Sequence, residues 1–527
     1  MDSKEISNFC IERGILVDNE VLTLFKQTGD LESVKMLLEK IIEHTQQKVI
    51  TKRVFSENKK EVASVFSNLP AEKKGAFQEL KIKLGLTIEI EKTIKEKPKE
   101  QPETDVKNEG VGNVKILSQS LHSNKKLSVT DFVNHFKNRY SDVRDILKNN
   151  PKLSNPISIN KISRNNQKIS IVGIVYNKRV TKNGNIVLEV EDLTGKITVL
   201  INQNKEDVYK DAEDISFDSI IGINGFGNRE IFFANEIVFP ELLNQERKKS
   251  PVEEHVLFIS DVHVGSKRFM EKNFLKFVDY LNGNIPNTPD FDKVKYLFVV
   301  GDLIAGVGVY PGQEKDLAIK DIEGQYARAA ELFGKIRSDI TIVFLPGNHD
   351  CVRLMEPQPM LDEKFAWPLY NLKNAVFAPN PSMINIGSRK DFPGFNILAY
   401  HGFSYFYYAN TIPSLIKEDS INSPNMIMAY LLKNRHIAPT HASVQYFPSE
   451  KDNLLIKEMP DIFVSGHLHK NAVSSYNNII TISNSCWETL MPYQEKYGCV
   501  SPDYCKVPSF NLKTRQLKIL DFDDEEK

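Results

Sequence analysis

Five apolar runs in the second half of this 527-residue chain share one feature: each ends on polar side chains. HVLFIS is followed by Asp261-Val262-His263, VKYLFVV by Gly301-Asp302, and ITIVFLP by Gly347-Asn348-His349-Asp350. FNILAY runs into His401-Gly402, and DIFVS into Gly466-His467-Leu468-His469. Short runs rich in β-branched and aromatic residues read as buried strands. Helical stretches such as IEGQYARAAELFGKIRS lie between them, so residues 254–527 read as an α/β domain. Ligands in such domains gather at the carboxyl ends of the strands, and the five tips are expected to converge in one crevice.

Taken singly, a DxH or a GD after a strand also describes an ordinary helix cap or turn. Their conjunction points elsewhere. The chain holds 11 histidines, and five of them (His263, His349, His401, His467 and His469) sit at these tips. Imidazole, carboxylate and amide donors without thiolate suit borderline or hard divalent metals such as Mn2+, Zn2+ or Fe2+. The donors suffice for two ions if one carboxylate is shared, and Asp302, expected on a central strand, is the one to share. Gathering so many polar groups in one crevice would be costly without metal.

The rest of the chain changes texture several times. Residues 1–75 read as a small helical N-terminal domain, with Leu31, Val34, Leu37, Leu38 and Ile41 at three-four spacing behind Asp30 as N-cap. Residues 92–127 are rich in Lys, Glu, Pro and Gly and read as a flexible charged linker. An amphipathic helix is expected over 129–149. From 165 to 242, β-branched residues alternate with turn signals at Asn183-Gly184 and Thr194-Gly195, the pattern of a small antiparallel barrel. Its EDLTG hairpin resembles that of an OB-fold. Segments 187–190 and 197–200 carry no aromatic side chain on which bases would stack, which favours a barrel that docks on protein.

A net charge of -1 leaves no global electrostatic footprint for nucleic acid, so any DNA contact has to be local. The five cysteines (10, 351, 486, 499 and 505) form no CxxC pair and fit a reducing compartment better than a disulfide framework or zinc finger. The N-terminal MDSKEISNFCIERG lacks the apolar core of a secretory signal, and no apolar run is long enough to span a bilayer. A cytoplasmic protein is the expectation.

The motifs D-x-H, G-D, G-N-H-[DE], H-G and G-H-x-H, in this order, resemble those of the calcineurin-like metallophosphoesterase superfamily over residues 255–490. The resemblance implies an α/β sandwich and two divalent ions, with Mn2+ the expected metal and Zn2+ or Fe2+ the alternatives. One ion would be held by Asp261, His263, Asp302 and His469, the other by Asp302, Asn348, His401 and His467. His349 would then be a catalytic residue facing the phosphate. Asp350, also catalytic, would orient it by accepting its second ring proton.

That superfamily spans phosphatases, nucleotide diesterases and nucleases, so the fold does not name the substrate. The order of a helical piece, a charged linker, an OB-like barrel and a phosphoesterase resembles the small-subunit family of archaeal family D DNA polymerases. NRHIAPTHAS (434–443) is similar to that family's Arg-His-Leu-Ala-Pro stretch, with Ile437 a departure. Implied are a 3′-5′ proofreading exonuclease of DNA replication, a primer-template 3′ end as substrate, and a large polymerising subunit as heterodimeric partner. Two alternatives stay open: a scaffold subunit with a vestigial site, and a phosphomonoesterase or small-nucleotide phosphodiesterase.

Smaller features complete the reading. Phe403, Tyr405, Phe406, Tyr407 and Tyr408 follow a candidate ligand and are candidates both for stacking on an unpaired base and for core packing. Arg435, with His436 and His441 nearby, is a candidate phosphate contact. Gln516, Ile519 and Phe522 have a spacing that faintly resembles a sliding-clamp-binding box, although the segment also reads as a last strand with an acidic end.

Overall fold

The structure, a computed structural model, describes residues 113–118, 127–153, 155–241, 246–490 and 502–523, with scattered positions between 3 and 54. The chain divides into two units, Met1–Asp105 and Val106–Lys527. In the first, helix α1 (Ser3–Glu12) precedes strands β1 (Leu16–Val17) and β2 (Val49–Ile50), which pair in parallel. Ile6, Phe9, Val34, Leu38 and Ile50 are buried there. Asp30, Leu31, Leu37, Ile41 and residues 55–112 lie outside the described residues.

The second unit opens with a departure from the linker reading. Val114–Ile116 forms strand β3, with Val114 and Ile116 half-buried and Lys115 exposed. Three alternating residues are enough to add an edge to a sheet but too few to stand out in a Lys- and Glu-rich stretch. Helix α2 (Val129–Lys148) follows. Strands β4 (Gln167–Val180), β5 (Ile186–Glu191), β6 (Lys196–Ile201), β7 (Ile220–Gly227) and β8 (Ile231–Val238) close a barrel in the order β4-β5-β6-β8-β7. β4 is long enough to pair with both β5 and β7, and a bulge between Val175 and Asn177 bends it. Phe226 and Phe233, register partners on β7 and β8, are 45% and 43% exposed, so the barrel does present aromatic rings, on strands other than β5 and β6.

The barrel is seated on the domain that follows it. Tyr430 donates to the Asp214 carbonyl at 3.0 Å, Lys433 pairs with Asp211 at 2.8 Å, and the Thr440 hydroxyl donates to the Phe217 carbonyl at 2.9 Å. Helix α2 joins both: Tyr140 donates to the Val172 carbonyl of the barrel at 3.0 Å, and the buried Arg139 reaches Asp452 at 2.5 Å. His436 also bonds Asp452, at 3.0 Å, so a fully buried carboxylate is held by charged and polar groups from two directions. Removing one partner from such a group leaves an uncompensated buried charge, at a cost of about 3–5 kcal/mol.

The strands from His255 to Asp521, with β3 added at one edge, build two six-stranded sheets. One has the order β12-β11-β10-β9-β18-β19, formed by β9 (His255–Ile259), β10 (Val294–Val300), β11 (Thr341–Leu345), β12 (Ala375–Phe377), β18 (Lys506–Asn511) and β19 (Leu517–Asp521). The other has the order β16-β17-β15-β14-β13-β3, with β13 (Ser382–Ile386), β14 (Phe395–Ala399), β15 (Ile462–Ser465), β16 (Ala472–Tyr476) and β17 (Ile479–Ser483). Val256, Phe258, Phe298, Ile397 and Val464 belong to the core between the sheets. Alternate residues of the same strands, such as Leu257, Ile259 and Leu297, pack instead with Phe274, Tyr326 and Leu332 of the helices Glu271–Leu281 and Ile322–Phe333. On the opposite side Leu398 and Phe463 pack with the helices Tyr405–Thr411 and Pro424–Asn434. Strands buried on both faces explain why their runs are continuously apolar.

The C-terminal segment is β19 followed by Phe522, which is buried with its ring 5.4 Å from that of Phe277. The clamp-box reading therefore fails: its aromatic residue is core and its isoleucine lies within a strand paired with β18. Among the described residues no helix is long and apolar enough to cross a membrane.

Candidate metal centre

The strand tips converge, but from two sheets. β9, β10 and β11 run parallel and deliver Asp261, His263, Asp302 and Asn348; β14 and β15 run parallel in the second sheet and deliver His401, His467 and His469. Five of these residues have left-handed backbone: Asp261 (φ 51°), His263 (52°), Asp302 (49°), His467 (71°) and His469 (55°). Residues with a Cβ seldom adopt it, and clusters of such residues mark sites where geometry is held for function. Neighbouring tips hold one another in place: the Asp261 amide donates to the Gly301 carbonyl and the His263 amide to the Asp302 carbonyl, both at 3.1 Å, and the His467 amide donates to an Asp261 carboxylate oxygen at 2.9 Å.

Two groups of donors result. In the first, His263 Nε2 and His469 Nε2 are 3.3 Å apart and His469 Nε2 is 3.3 Å from Asp261 Oδ1. In the second, His401 Nε2 lies 3.3 Å from Asp302 Oδ2 and 3.1 Å from Asn348 Oδ1, with His467 beside them. Within each of the sets Asp261/His263/His469, His263/Asp302/His349 and Asp302/His401/His467, one donor atom per residue lies within 4.8 Å of the others. Asp302 thus stands between the two groups. The set is buried or half-buried, oxygen- and imidazole-based, and crowded with lone pairs that have no apolar reason to meet, which fits divalent cations.

The electrostatics point the same way. Burial opposes charge on Asp302, yet His401 and His349 beside it hold the carboxyl well below the usual range. Burial likewise opposes charge on His401, but Asp302 outweighs it and pulls the imidazole up to about 10. Burial pushes His467 down to about 3, helped by His401, and burial also lowers His263. Burial thus favours the neutral form of these last two rings, the form in which imidazole coordinates; His469, by contrast, is raised against its burial by Cys486 and Asp261, and a divalent ion would displace the protons that His401 and His469 favour.

His349 Nδ1 lies 2.9 Å from the Ala305 carbonyl, which can only accept, so this nitrogen carries a proton and Nε2 faces the site, 3.9 Å from Asp302 Oδ2. The expectation that Asp350 takes the ring proton of His349 does not hold. Buried Asp350 accepts instead from the backbone amides of Gly347 at 2.8 Å, Leu303 at 3.3 Å and Ile304 at 3.4 Å, tying the β11 tip to the β10 tip. Burial, then repulsion from Asp302, raise its carboxyl to about 7.

Other candidates divide. Arg435 is turned into the fold, donating to the carbonyls of Ile456 and Lys457, and is no free phosphate contact. His436 belongs to the Asp452 network, and the exposed His441 stacks at a tilt on Tyr446, 5.1 Å between centroids. Tyr405 and Tyr408 are fully buried and Tyr407 is half-buried. Phe403 and Phe406 flank His467, each with its ring centroid 5.5 Å away, and Phe406 is 43% exposed.

Two residues near the site follow a sixth strand tip that carries no motif. β17 runs parallel to β15, and beyond it come Cys486, whose thiol meets His469, and Glu488, whose Oε1 lies 3.9 Å from His263 Nε2. The rule that located the other tips, an apolar run closing on polar residues, also fits IITIS followed by NSCWE.

Comparison with known proteins adds the following. Residues 254–471 match the calcineurin-like phosphoesterase family. The DNA polymerase II small subunit of Methanothermobacter thermautotrophicus is 37% identical over 411 residues, covering 77% of this chain and 82% of that protein. Its counterpart in Pyrococcus furiosus is 35% identical over 426 residues, covering 78% and 67%. That of Pyrococcus horikoshii is 34% identical over 471 residues, covering 87% and 73%.

Proposed function

The chain belongs to the archaeal DNA polymerase II small-subunit family, and from that membership we propose that it is a metal-dependent 3′-5′ exonuclease working beside a large polymerising subunit. The observation that carries the reading is the set of donors at the strand tips, gathered from two sheets onto one buried site by backbone that is left-handed at five of them. A subunit serving only as scaffold has no use for that strain, which costs on the order of 1–3 kcal/mol per residue.

On this reading Asp261, His263, Asp302 and His469 would hold one ion, and Asp302, Asn348, His401 and His467 would hold a second. The donors suit Mn2+, Zn2+ or Fe2+, and Mn2+ is the ion that the resemblance implies. Such ions supply Lewis acidity and a water acidic enough to attack phosphorus at neutral pH. The chain's own side chains do the rest. Asp302 and His401 position the terminal phosphate's surroundings, and Asp350 fixes the turn that carries Asn348 and His349. With Nδ1 bound to Ala305, a protonated His349 presents Nε2–H toward the scissile bond. As the bond from phosphorus to the 3′ oxygen of the penultimate nucleotide breaks, that proton passes to the oxygen, and a nucleoside 5′-monophosphate leaves. Phe406, exposed beside His467, offers a face to the base of an unpaired terminal nucleotide.

The test is a 5′-labelled primer-template with a 3′ mismatch, incubated with Mn2+ and the full chain, with and without the large subunit. Stepwise shortening from the 3′ end is expected, and His349→Ala should slow it by about 10²–10⁴-fold. Intact primer in both settings, from a chain that still binds the large subunit, would make the site a relic and the chain a scaffold. Faster turnover of a simple phosphomonoester than of the DNA end would favour a small-substrate enzyme.

A further inference from the structure

Glu488 is a buried carboxylate that the described residues leave poorly partnered. Its side chain is 4% exposed. One oxygen, Oε2, has no hydrogen-bond partner among the described residues. The other, Oε1, comes no nearer to a basic nitrogen of the described residues than the 3.9 Å that separate it from His263 Nε2. Isolated buried carboxylates are costly and are ordinarily paired with a cation or bound to metal.

The position of Glu488 supplies the explanation. It comes after β17, and the intervening chain is pinned to the site: the Trp487 amide donates to the Asp261 carbonyl at 3.0 Å. The His263 nitrogen that Oε1 approaches is the one that meets His469 Nε2 at 3.3 Å. Glu488 is not among the residues whose donor atoms all lie within 4.8 Å of Asp261 and His469, so it stands at the outer edge of that group.

We infer that Glu488 is a further cation-binding residue of the Asp261/His263/His469 site, an outer carboxylate whose charge raises the site's affinity for a divalent ion. The inference rests on the reading of those three residues as ion ligands. With an ion present, the carboxylate helps; without one, it is a poorly partnered buried polar group and a burden on the fold.

The experiment is titration calorimetry of Mn2+ into the full chain and into Glu488→Gln, with a thermal melt of each in chelator. The glutamine variant should bind Mn2+ about 10–100-fold more weakly, the range typical for outer partners of a metal site. Its metal-free form should melt at the same temperature as the wild type or higher. Equal affinity in the two chains overturns the inference and leaves the metal site standing. A variant that fails to fold also overturns it, because the carboxylate would then be structural. If the wild type itself binds no Mn2+, the reading of the whole site falls with it, and Asp261→Asn serves as the control that locates any binding seen.

Discussion

Gly347 should not tolerate even a methyl group, although its backbone would accept one. A Cβ built on it falls 2.2 Å from Asp302 Oδ1, 2.4 Å from the Asp302 amide nitrogen and 2.9 Å from its Cγ. Nonbonded heavy atoms settle at roughly 3.5–4.0 Å, so in Gly347→Ala the Asp302 carboxylate and backbone must retreat by about 1 Å. The amide of His349, which donates to the same Oδ1 at 2.8 Å, loses its anchor in that movement. Overpacking of this kind costs about 1–3 kcal/mol, offset by roughly 0.4–1 kcal/mol from the stiffer unfolded chain, so the variant should fold. Misplacing a reacting group by about 1 Å costs on the order of 10²-fold in rate. Gly347→Ala should therefore cut Mn2+-dependent release of nucleotide from a 5′-labelled primer by roughly a hundredfold, while the melting temperature falls by only a few degrees. Calorimetry should show weaker ion binding as well. Wild-type rate and wild-type ion affinity in a folded Gly347→Ala chain would mean instead that the β10 and β11 tips relax apart without disturbing the shared carboxylate.

Two other outcomes follow from the same geometry. Phe406→Ala should raise KM for an unpaired 3′ end by about fivefold to a hundredfold, since stacking is worth roughly 1–3 kcal/mol per base, and leave Mn2+ affinity alone; an unchanged KM would reduce the ring to packing on His467. Glu356 is fully buried and accepts from the Tyr400 hydroxyl at 3.0 Å, and burial raises its carboxyl from 4.5 to about 8. Because the folded chain holds this proton more tightly, the stability it contributes is complete below pH 4.5 and drains away as the pH climbs through 8. Glu356→Gln should match the wild type in urea melts at pH 4 and exceed it, by a few kcal/mol at the order-of-magnitude level, at pH 8; parallel stability curves for the two chains would contradict this.

Much of the site was legible because its signal is local. A buried strand is a short apolar run, its end is where side chains turn polar, and parallel strands put those ends on one side. The imidazoles, carboxylates and amide could be picked out from that alone. The sandwich could be expected only by resemblance, because the five runs look alike whichever sheet they join. His349 shows the limit of local reading. Its neighbour Asp350 was the natural partner by sequence, yet the ring proton goes to Ala305, on the loop after β10, and Asp350 turns inward to backbone amides. The aromatic run after His401 shows another. Tyr405 and Tyr408, three residues apart on one helical turn, share the buried face, and Phe406 is rotated out. Glu488 escaped notice because nothing in NSCWE resembles a ligand motif.

By itself the sequence determined which chemistry this chain can carry: the donor types, their order, and their place at the ends of strands, because side-chain identity and strand periodicity are properties of short stretches. Only the tertiary structure decided which donors share a site, which imidazoles stay neutral, which carboxylate faces inward and which phenyl ring faces out. Those outcomes depend on burial and on contacts between residues some two hundred or more positions apart, such as Asp261 and His469, which no short stretch of sequence can pair.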